Sequence, residues 1–119
     1  MRVSLFIDPD PRMIKAAADT GTDRVELYTE SYAAGFDSDP QESIKTYIEA
    51  ANTAADCRLG LNAGHDLNLK NLPFFAMMIP GLLEVSIGHA VISDALYLGL
   101  KETISRYKQC LAGNAPNKL

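Results

Sequence analysis

Two glycine–histidine pairs stand directly after apolar segments and are the first candidates for chemistry. Gly64, His65 and Asp66 occur in "LGLNAGHDLN", and Gly88 and His89 occur in "LLEVSIGHAV". An imidazole titrates close to neutral pH, so a histidine here could exchange protons with a substrate. A glycine lets backbone N–H groups approach an anion closely, above all where a helix follows. The pairs therefore predict proton transfer and anion binding, although each could also be an ordinary loop.

Glu26, in the middle of the apolar segment "RVELY", is the third candidate. Burying a carboxylate is costly unless it is paired or protonated, which leaves two interpretations. The first is an ion pair with Arg24; the second is a carboxylate with a raised pKa that serves as an acid, a base or a partner for positive charge. A metal site from Glu26, His65, Asp66 and His89 is disfavoured, because no pair has a typical ligand spacing. We therefore predict neither a metal nor another cofactor.

Four short strands, each followed by a helical segment, position these candidates. Residues 3–7, 24–28, 58–62 and 83–87 are predicted as strands. Asp10 before Pro11, and Asp39 before Pro40, mark helix starts. A single amphipathic helix is predicted over 93–111, and the tail 113–119 is expected to fray. Alternating strands and helices predict an α/β fold with parallel strands.

The two faces of the predicted strands differ in character. One face is apolar and suits a layer of helices; it carries Val3, Leu5, Ile7, Val25, Leu27, Leu59, Leu61, Leu83, Val85 and Ile87. The other face is polar or small, whereas a doubly wound sheet would be apolar on both. A polar inner face is typical of a TIM-type (β/α)8 barrel, but a complete barrel takes about 250 residues. We predict one domain, 1–119, made of four consecutive βα units that form half of such a barrel.

The composition favours a soluble globular protein that would have to capture any anion locally. Among 119 residues the formal net charge is −4 and the pI is near 5.0, which argues against nucleic acid or an anionic membrane as partner. The most apolar window, 12 residues long, is broken by Pro80 and Gly81 and is too short to span a membrane. The two cysteines show no metal or redox spacing, and no signal peptide is evident. We expect a cytoplasmic protein.

The motifs "RVSLFID", "RVELYTESYA", "LNAGHDLN" and "EVSIGHAVI", in this order and spacing, resemble the carboxyl-terminal half of the pyridoxine 5'-phosphate synthase family. That family's enzymes are eight-stranded (β/α) barrels. They condense 1-deoxy-D-xylulose 5-phosphate with 3-amino-2-oxopropyl phosphate to form pyridoxine 5'-phosphate in vitamin B6 biosynthesis. The resemblance covers nearly the whole chain and implies that it is βα units 5 to 8 of such an enzyme.

The resemblance also implies a role for each candidate residue. His65 is similar to the family's proton donor and Glu26 to the carboxylate that stabilises the transition state. Asp66, Gly88 and His89 are similar to residues that contact the bound phosphorylated substrate or product. Several relatives carry glycine in place of Asp66, so its contact is implied to run through the backbone. The family's other catalytic residues, a histidine and a glutamate, belong to the first half of the barrel.

An open half-barrel needs a partner for its polar face and its two edge strands. We expect either the missing amino-terminal half-barrel or self-association into a homo-oligomer. The chain by itself is predicted to be inactive, because it lacks the second base. The alternative function is a self-associating half-barrel that binds a phosphorylated metabolite without catalysis.

Overall fold

The computed structural model describes residues 1–112, in which strands alternate with helices. The elements are β1 (Ser4–Ile7), α1 (Pro11–Asp19), β2 (Arg24–Tyr28), α2 (Glu30–Phe36), α3 (Pro40–Asp56), β3 (Gly60–Gly64), α4 (Leu72–Met78), β4 (Leu82–Ser86), α5 (His89–Leu98) and α6 (Leu100–Ala112). This alternation confirms the predicted α/β class. The predicted fraying of 113–119 lies outside the described residues. Within 1–112, every helix is too short or too polar to cross a membrane.

The four strands form one parallel sheet in the order β1-β2-β3-β4, which is also their order along the chain. Helical crossovers join each strand to the next. A doubly wound sheet reverses its strand order at a switch point, whereas a (β/α) barrel adds strands consecutively. The observed order is that of a barrel segment, with β1 and β4 as the two edges of the described sheet.

The core lies on one face of this sheet. Val25, Leu27 and Leu61 point to that face and are almost fully buried. Their buried apolar neighbours come from the helices and connections: Ile14, Ala17, Tyr32, Ile44, Tyr47, Ala50, Ala51, Ala54, Leu67, Leu72, Phe75, Ile79 and Tyr107. On the opposite face Phe6 is 56% exposed. The polar face predicted from the sequence is therefore the open one.

Two helices begin where the sequence signals placed them. The Asp10 side chain accepts from the Arg12 N–H at 2.9 Å, and the Asp39 side chain accepts from the Glu42 N–H at 3.1 Å. A proline stands at the start of each helix, where its missing N–H costs nothing. Gly21, with φ 82, follows the last turn of α1, where glycine adopts this conformation without strain. These caps define where α1 and α3 begin.

The third strand starts two residues later than the predicted range 58–62. Arg58 has φ 60, and the N–H groups of Arg58 and Leu59 donate to carbonyls in the last turn of α3. These two residues therefore close the helix instead of opening the strand. As a result β3 runs to Gly64, and His65 is the first residue beyond its carboxyl end.

The fourth strand, β4 (Leu82–Ser86), begins one residue earlier than predicted and carries an extra residue relative to β3. Its first residue pairs with Leu61, but Asn62 pairs with Glu84, so Leu83 is out of register. The prediction that Leu83 faces the helices is wrong, because this bulge turns it to the polar face, where it is 56% exposed.

The single helix predicted over 93–111 is two helices, α5 and α6, with Gly99 between them. Gly99 has φ 86, a conformation that glycine adopts without the steric cost other residues meet. Its N–H donates to the Ala95 carbonyl at 2.9 Å and ends α5, while its carbonyl accepts from the Thr103 N–H and starts α6. The apolar stripe continues across this glycine, and for that reason the sequence pattern alone predicts one continuous helix. At its other end α5 starts at His89, and Ile87 and Gly88 connect it to β4.

Candidate active site at the carboxyl ends of the strands

Four of the five predicted site residues line one open cleft on the polar face of the sheet. The cleft has a volume of about 710 Å³ and is lined by Phe6, Glu26, His65, Val85, Ser86, Ile87, Gly88 and His89. The fifth residue, Asp66, lies beside it and contacts His65. Barrel enzymes place their chemistry at this end of the strands. The structure therefore brings the predicted residues together, and their roles stay predictions.

Gly64 is glycine because the backbone of β4 passes too close for a side chain. A Cβ at this position would collide with the Ser86 carbonyl oxygen and would lie 3.0 Å from the Ser86 nitrogen. It would also lie 3.1 Å from Oε2 of Glu26. The first glycine–histidine pair therefore has a structural cause: glycine allows β3 and β4 to approach each other beside the Glu26 carboxylate.

His65 adopts a backbone conformation that side chains other than glycine rarely adopt. Its φ is 95, and its N–H donates to the Ser86 carbonyl at 2.8 Å. Non-glycine residues in such regions cost on the order of 1–3 kcal/mol and concentrate at functional sites. The surrounding hydrogen bonds hold the residue in this conformation, which places the imidazole at the entrance of the cleft.

Thr29 fixes the turn that carries His65 and was not predicted from the sequence. Its side chain is fully buried, and its hydroxyl donates to the Gly64 carbonyl at 2.7 Å. The same oxygen accepts from the Asp66 N–H at 3.2 Å, so it binds the backbone on both sides of His65. The sequence shows only that a threonine follows "RVELY", and a threonine at such a position would be predicted to cap a helix. Thr29 does precede α2, but its side chain makes no capping bond there.

The imidazole of His65 contacts one carboxylate and one aromatic ring. Nδ1 lies 3.3 Å from Oδ2 of Asp66, close enough for an ion pair when the ring is protonated. The ring of Tyr28 lies 6.1 Å away between centroids. The His65 side chain is 69% exposed. With Nδ1 turned to Asp66, Nε2 is the nitrogen that could exchange a proton with a bound molecule.

Glu26 is a half-buried carboxylate whose environment favours its protonated form. Burial raises the pKa of Glu26 above its ordinary value, and the negative charge of Glu84 raises it further. The neighbouring His65 opposes both effects and lowers the pKa. An unusually basic carboxylate beside a histidine can share a proton with it or stabilise a cation in the cleft.

The ion pair between Glu26 and Arg24 that the sequence left open is not formed among the described residues. Arg24 instead places Nη1 3.1 Å from Oε1 of Glu84 and 3.0 Å from Oδ1 of Asn62. The Asn62 amide also donates to Glu84 at 3.2 Å. This network fills the polar face below the cleft. Glu26 is left facing the cleft and His65.

The second glycine–histidine pair opens α5 at the other side of the cleft. Gly88 is the N-cap residue of α5, with φ −112 and no side-chain capping bond, and no acidic residue lies in the first turn. The first N–H groups of a helix have no partner within it, and the helix dipole favours an anion there. A Cβ on Gly88 would meet nothing within 4 Å. The described chain gives no steric reason for glycine here, unlike at Gly64.

The described residues, 1–112, contain no group of three or more His, Cys, Asp or Glu side chains placed to hold a metal ion. Glu26, His65 and His89 share the cleft, but they are not arranged as ligands of one ion. Cys57 and Cys110 are unpaired thiols and lie outside the cleft.

Comparison with known proteins gives one family. The family model described as "Pyridoxal phosphate biosynthesis protein PdxJ" matches residues 1–113. A curated protein of Bacteroides fragilis named pyridoxine 5'-phosphate synthase is 57% identical over 111 residues. Proteins of the same name from Porphyromonas gingivalis and Flavobacterium johnsoniae are 56% and 54% identical over 112 and 107 residues.

Each match covers nearly all of this chain but less than half of the relative. The matched segments cover 93%, 94% and 90% of this chain, but only 47%, 47% and 45% of the three relatives. The chain therefore spans about half the length of the curated relatives it matches. Every predicted site residue lies inside the matched family segment.

Proposed function

We propose, from the premise that this chain belongs to the PdxJ family of pyridoxal phosphate biosynthesis proteins, that it forms βα units 5 to 8 of a pyridoxine 5'-phosphate synthase. The proposed reaction condenses 1-deoxy-D-xylulose 5-phosphate with 3-amino-2-oxopropyl phosphate and closes the pyridine ring. The observation that supports this most is the cleft, which combines His65, Glu26 and the start of α5. These supply a proton, a negative charge and an anion site within one cavity.

In this proposal His65 is the proton donor. Ring closure releases water, and a departing hydroxyl group leaves more easily when an acid protonates it. His65 stands at the cleft entrance, and Asp66 contacts Nδ1 at 3.3 Å. Because Nδ1 is turned toward Asp66, Nε2 is the nitrogen that can deliver the proton to the substrate. The resemblance implies a backbone contact of Asp66 with the substrate; because the Asp66 N–H already donates to Thr29, its carbonyl oxygen is the backbone group that would make this contact.

Glu26 would stabilise the positive charge that develops on the nitrogen of the closing ring. Its raised pKa means that it must lose a proton to do so, and the cost of its burial is then offset by the cationic intermediate. Activity should therefore fall as the pH drops through the raised pKa of Glu26. This acid limb should lie above the ordinary glutamate range.

Gly88 and His89 would bind a phosphate group of the substrate or product. The N–H groups at the start of α5 provide the donors, and the empty space beside Gly88 lets an anion approach them. In an NMR titration with inorganic phosphate or pyridoxine 5'-phosphate, the amides of Gly64, Gly88 and His89 should shift more than that of Asp8. Equal shifts at all four positions would argue against this site.

The remaining groups of the active site would come from the missing amino-terminal half-barrel. Phe6 on β1 and Leu83 on β4 are exposed apolar side chains on the open face, as expected of a surface that another unit covers. Self-association into a homo-oligomer and a cytoplasmic location belong to the proposal as predictions.

The test is an activity assay on the completed protein, which we define as this chain joined in frame to the amino-terminal half of the Bacteroides fragilis relative. It should form pyridoxine 5'-phosphate from the two phosphorylated substrates. His65→Asn should lower kcat by about a hundredfold or more, as expected when a general acid is removed. Asparagine suits the test because it tolerates positive φ better than most residues.

His89→Asn provides the matched control for that variant. It changes the other histidine of the cleft in the same way, and it should raise KM for a phosphorylated substrate more than it lowers kcat. Full activity of the His65→Asn protein would remove the proton-donor role. Self-association of the 119-residue chain with binding of a phosphorylated substrate, together with no turnover by the completed protein, would favour the alternative function, a self-associating half-barrel that binds a phosphorylated metabolite without catalysis.

A further inference from the structure

The helix that bears the proposed phosphate site is only partly covered by the rest of the chain. α5 has no buried residue, and its side chains Leu96 and Tyr97 are 81% and 88% exposed. At its start Gly88 offers no side-chain cap, and at its end Gly99 provides a conformationally permissive joint. Anion binding by helix N–H groups depends on where the helix axis points, so something must fix the orientation of α5.

One side-chain hydrogen bond joins α5 to α6 within the described residues. The hydroxyl of Tyr107 donates to Oδ2 of Asp94 at 2.8 Å. Tyr107 is buried and belongs to the main core, whereas Asp94 is half-buried on the inner side of α5. Hydrogen bonds to a carboxylate are stronger than those between neutral groups. The bond therefore ties the exposed helix to a fixed point in the core.

The protonation state of Tyr107 suits this arrangement. Burial raises the pKa of Tyr107 well above its usual range, and the Asp94 carboxylate raises it further. The phenol therefore stays protonated and remains a donor throughout the range in which an enzyme works. The bond is present whenever the helix is in its observed position.

We propose that Asp94 and Tyr107 are positioning residues for the phosphate site, because their hydrogen bond fixes the rotation of α5 and aims its first N–H groups into the cleft. This inference rests on the proposed function, since it extends the proposed role of Gly88 and His89. Asp94 stands five residues after His89, about 7.5 Å along the helix axis. It is too far along the helix to contact the anion and acts through the orientation of α5.

Tyr107→Phe in the completed protein is the first test, because it removes the hydroxyl and keeps the ring. It should weaken binding of inorganic phosphate and raise KM for a phosphorylated substrate by about three- to tenfold, the range expected for one lost hydrogen bond. The effect on kcat should be smaller. Amide hydrogen exchange should become faster along α5 and stay unchanged in α3. Tyr97→Phe is the matched control, since that ring is exposed on α5, and it should change neither quantity.

Two Asp94 variants separate positioning from a general loss of stability. Asp94→Ala removes the acceptor and should reproduce the Tyr107→Phe values for KM and phosphate affinity. Asp94→Asn keeps an oxygen that can accept from Tyr107 and should restore most of the affinity. The double variant, Asp94→Ala with Tyr107→Phe, should be no worse than either single variant, because both remove the same bond.

The outcomes distinguish this inference from the function on which it rests. Unchanged phosphate affinity in Tyr107→Phe, with a wild-type protein that binds phosphate at Gly88, would overturn the inference and leave the proposed function standing. Additive losses in the double variant would also overturn it, since they would assign the two residues separate effects. A wild-type completed protein whose Gly88 and His89 amides do not respond to phosphate would overturn both.

Discussion

The two glycine–histidine pairs look alike in sequence but differ in how the chain supports them. At Gly64 and His65 the backbone of β4 and the buried hydroxyl of Thr29 fix every part of the turn. At Gly88 and His89 the chain turns into an exposed helix, and space is open around the glycine. The proposed proton-transfer side of the site is thus held by contacts within the described chain. The proposed anion side lies on a helix that one side-chain hydrogen bond joins to α6.

The two pairs should differ most in how alanine at each glycine changes the free energy of unfolding. Gly64→Ala would force β3 and β4 apart at Ser86, and we expect it to lower the free energy of unfolding by about 3 kcal/mol, as overpacking does elsewhere. Gly88→Ala should change that free energy by less than about 0.5 kcal/mol, because its Cβ meets open space and its φ suits alanine. Urea denaturation of both variants measures the difference.

In the completed protein the same two variants should separate stability from binding. Gly88→Ala should keep the wild-type stability and lose phosphate affinity, because a methyl group then occupies the space we assign to the anion. A Gly88→Ala protein that binds phosphate as well as the wild type would remove the functional reason for glycine there. A stable Gly64→Ala protein would show that β4 can move, against the packing described here.

Thr29→Val tests the support of the first pair with a smaller expected effect. Valine keeps the shape but leaves the Gly64 carbonyl and the Asp66 N–H without their partner, which should cost about 2 kcal/mol of unfolding free energy. Thr53→Val is the control, since that hydroxyl only donates to a carbonyl on the outside of α3. In the completed protein Thr29→Val should also lower kcat, because His65 would no longer be held in place. Equal effects at both threonines would contradict the role of the Thr29 hydroxyl in holding the turn around His65.

Glu26→Gln should change the stability only slightly, and the sign of the change is informative. Because the pKa of Glu26 is raised in the folded chain, ionisation of this group opposes folding as the pH rises above its ordinary value of 4.5. Glutamine removes that penalty, so the variant should be slightly more stable than the wild type at pH 7. The advantage should disappear below pH 4.5, where both forms are neutral.

The exposed residue Glu49 on α3 provides the control, and Glu49→Gln should not reproduce the gain in stability at pH 7. Thermal unfolding from acidic to neutral pH makes the comparison. Lower stability of Glu26→Gln at pH 7 would mean that the carboxylate stabilises the folded chain, contrary to its described environment. In the completed protein the stabilised variant should lose most of its activity, which is the trade-off expected of a functional carboxylate.

The sequence predicted those features that depend on local patterns. The caps at Asp10 and Asp39 and the apolar face of β2 follow from residues that lie close together in the chain, and the structure confirms them. The sequence did not predict that Leu83 turns to the polar face, because the bulge depends on the pairing of β4 with β3. The same holds for Thr29, whose hydroxyl binds a turn 35 residues away.

The residues of the site could be predicted from the sequence because they lie on or just after predicted strands. Because parallel strands bring their carboxyl ends together, Glu26, His65 and His89 could be placed near each other before the structure was known. The break at Gly99 was accessible as well, since glycine is a frequent helix end, but the apolar stripe across it favoured one continuous helix. The pairing of Arg24 with Glu84 instead of Glu26 could not be predicted from the sequence, because it joins side chains on two strands that lie far apart in the chain.

We propose that this chain holds one side of a synthase site and needs the other half of the barrel for catalysis. The most direct measurement is formation of pyridoxine 5'-phosphate from the two phosphorylated substrates, by the 119-residue chain alone and by the completed protein. We expect no turnover by the chain alone and measurable turnover by the completed protein, lost again in its His65→Asn variant. Turnover by the isolated chain, or wild-type turnover in that variant, would contradict it.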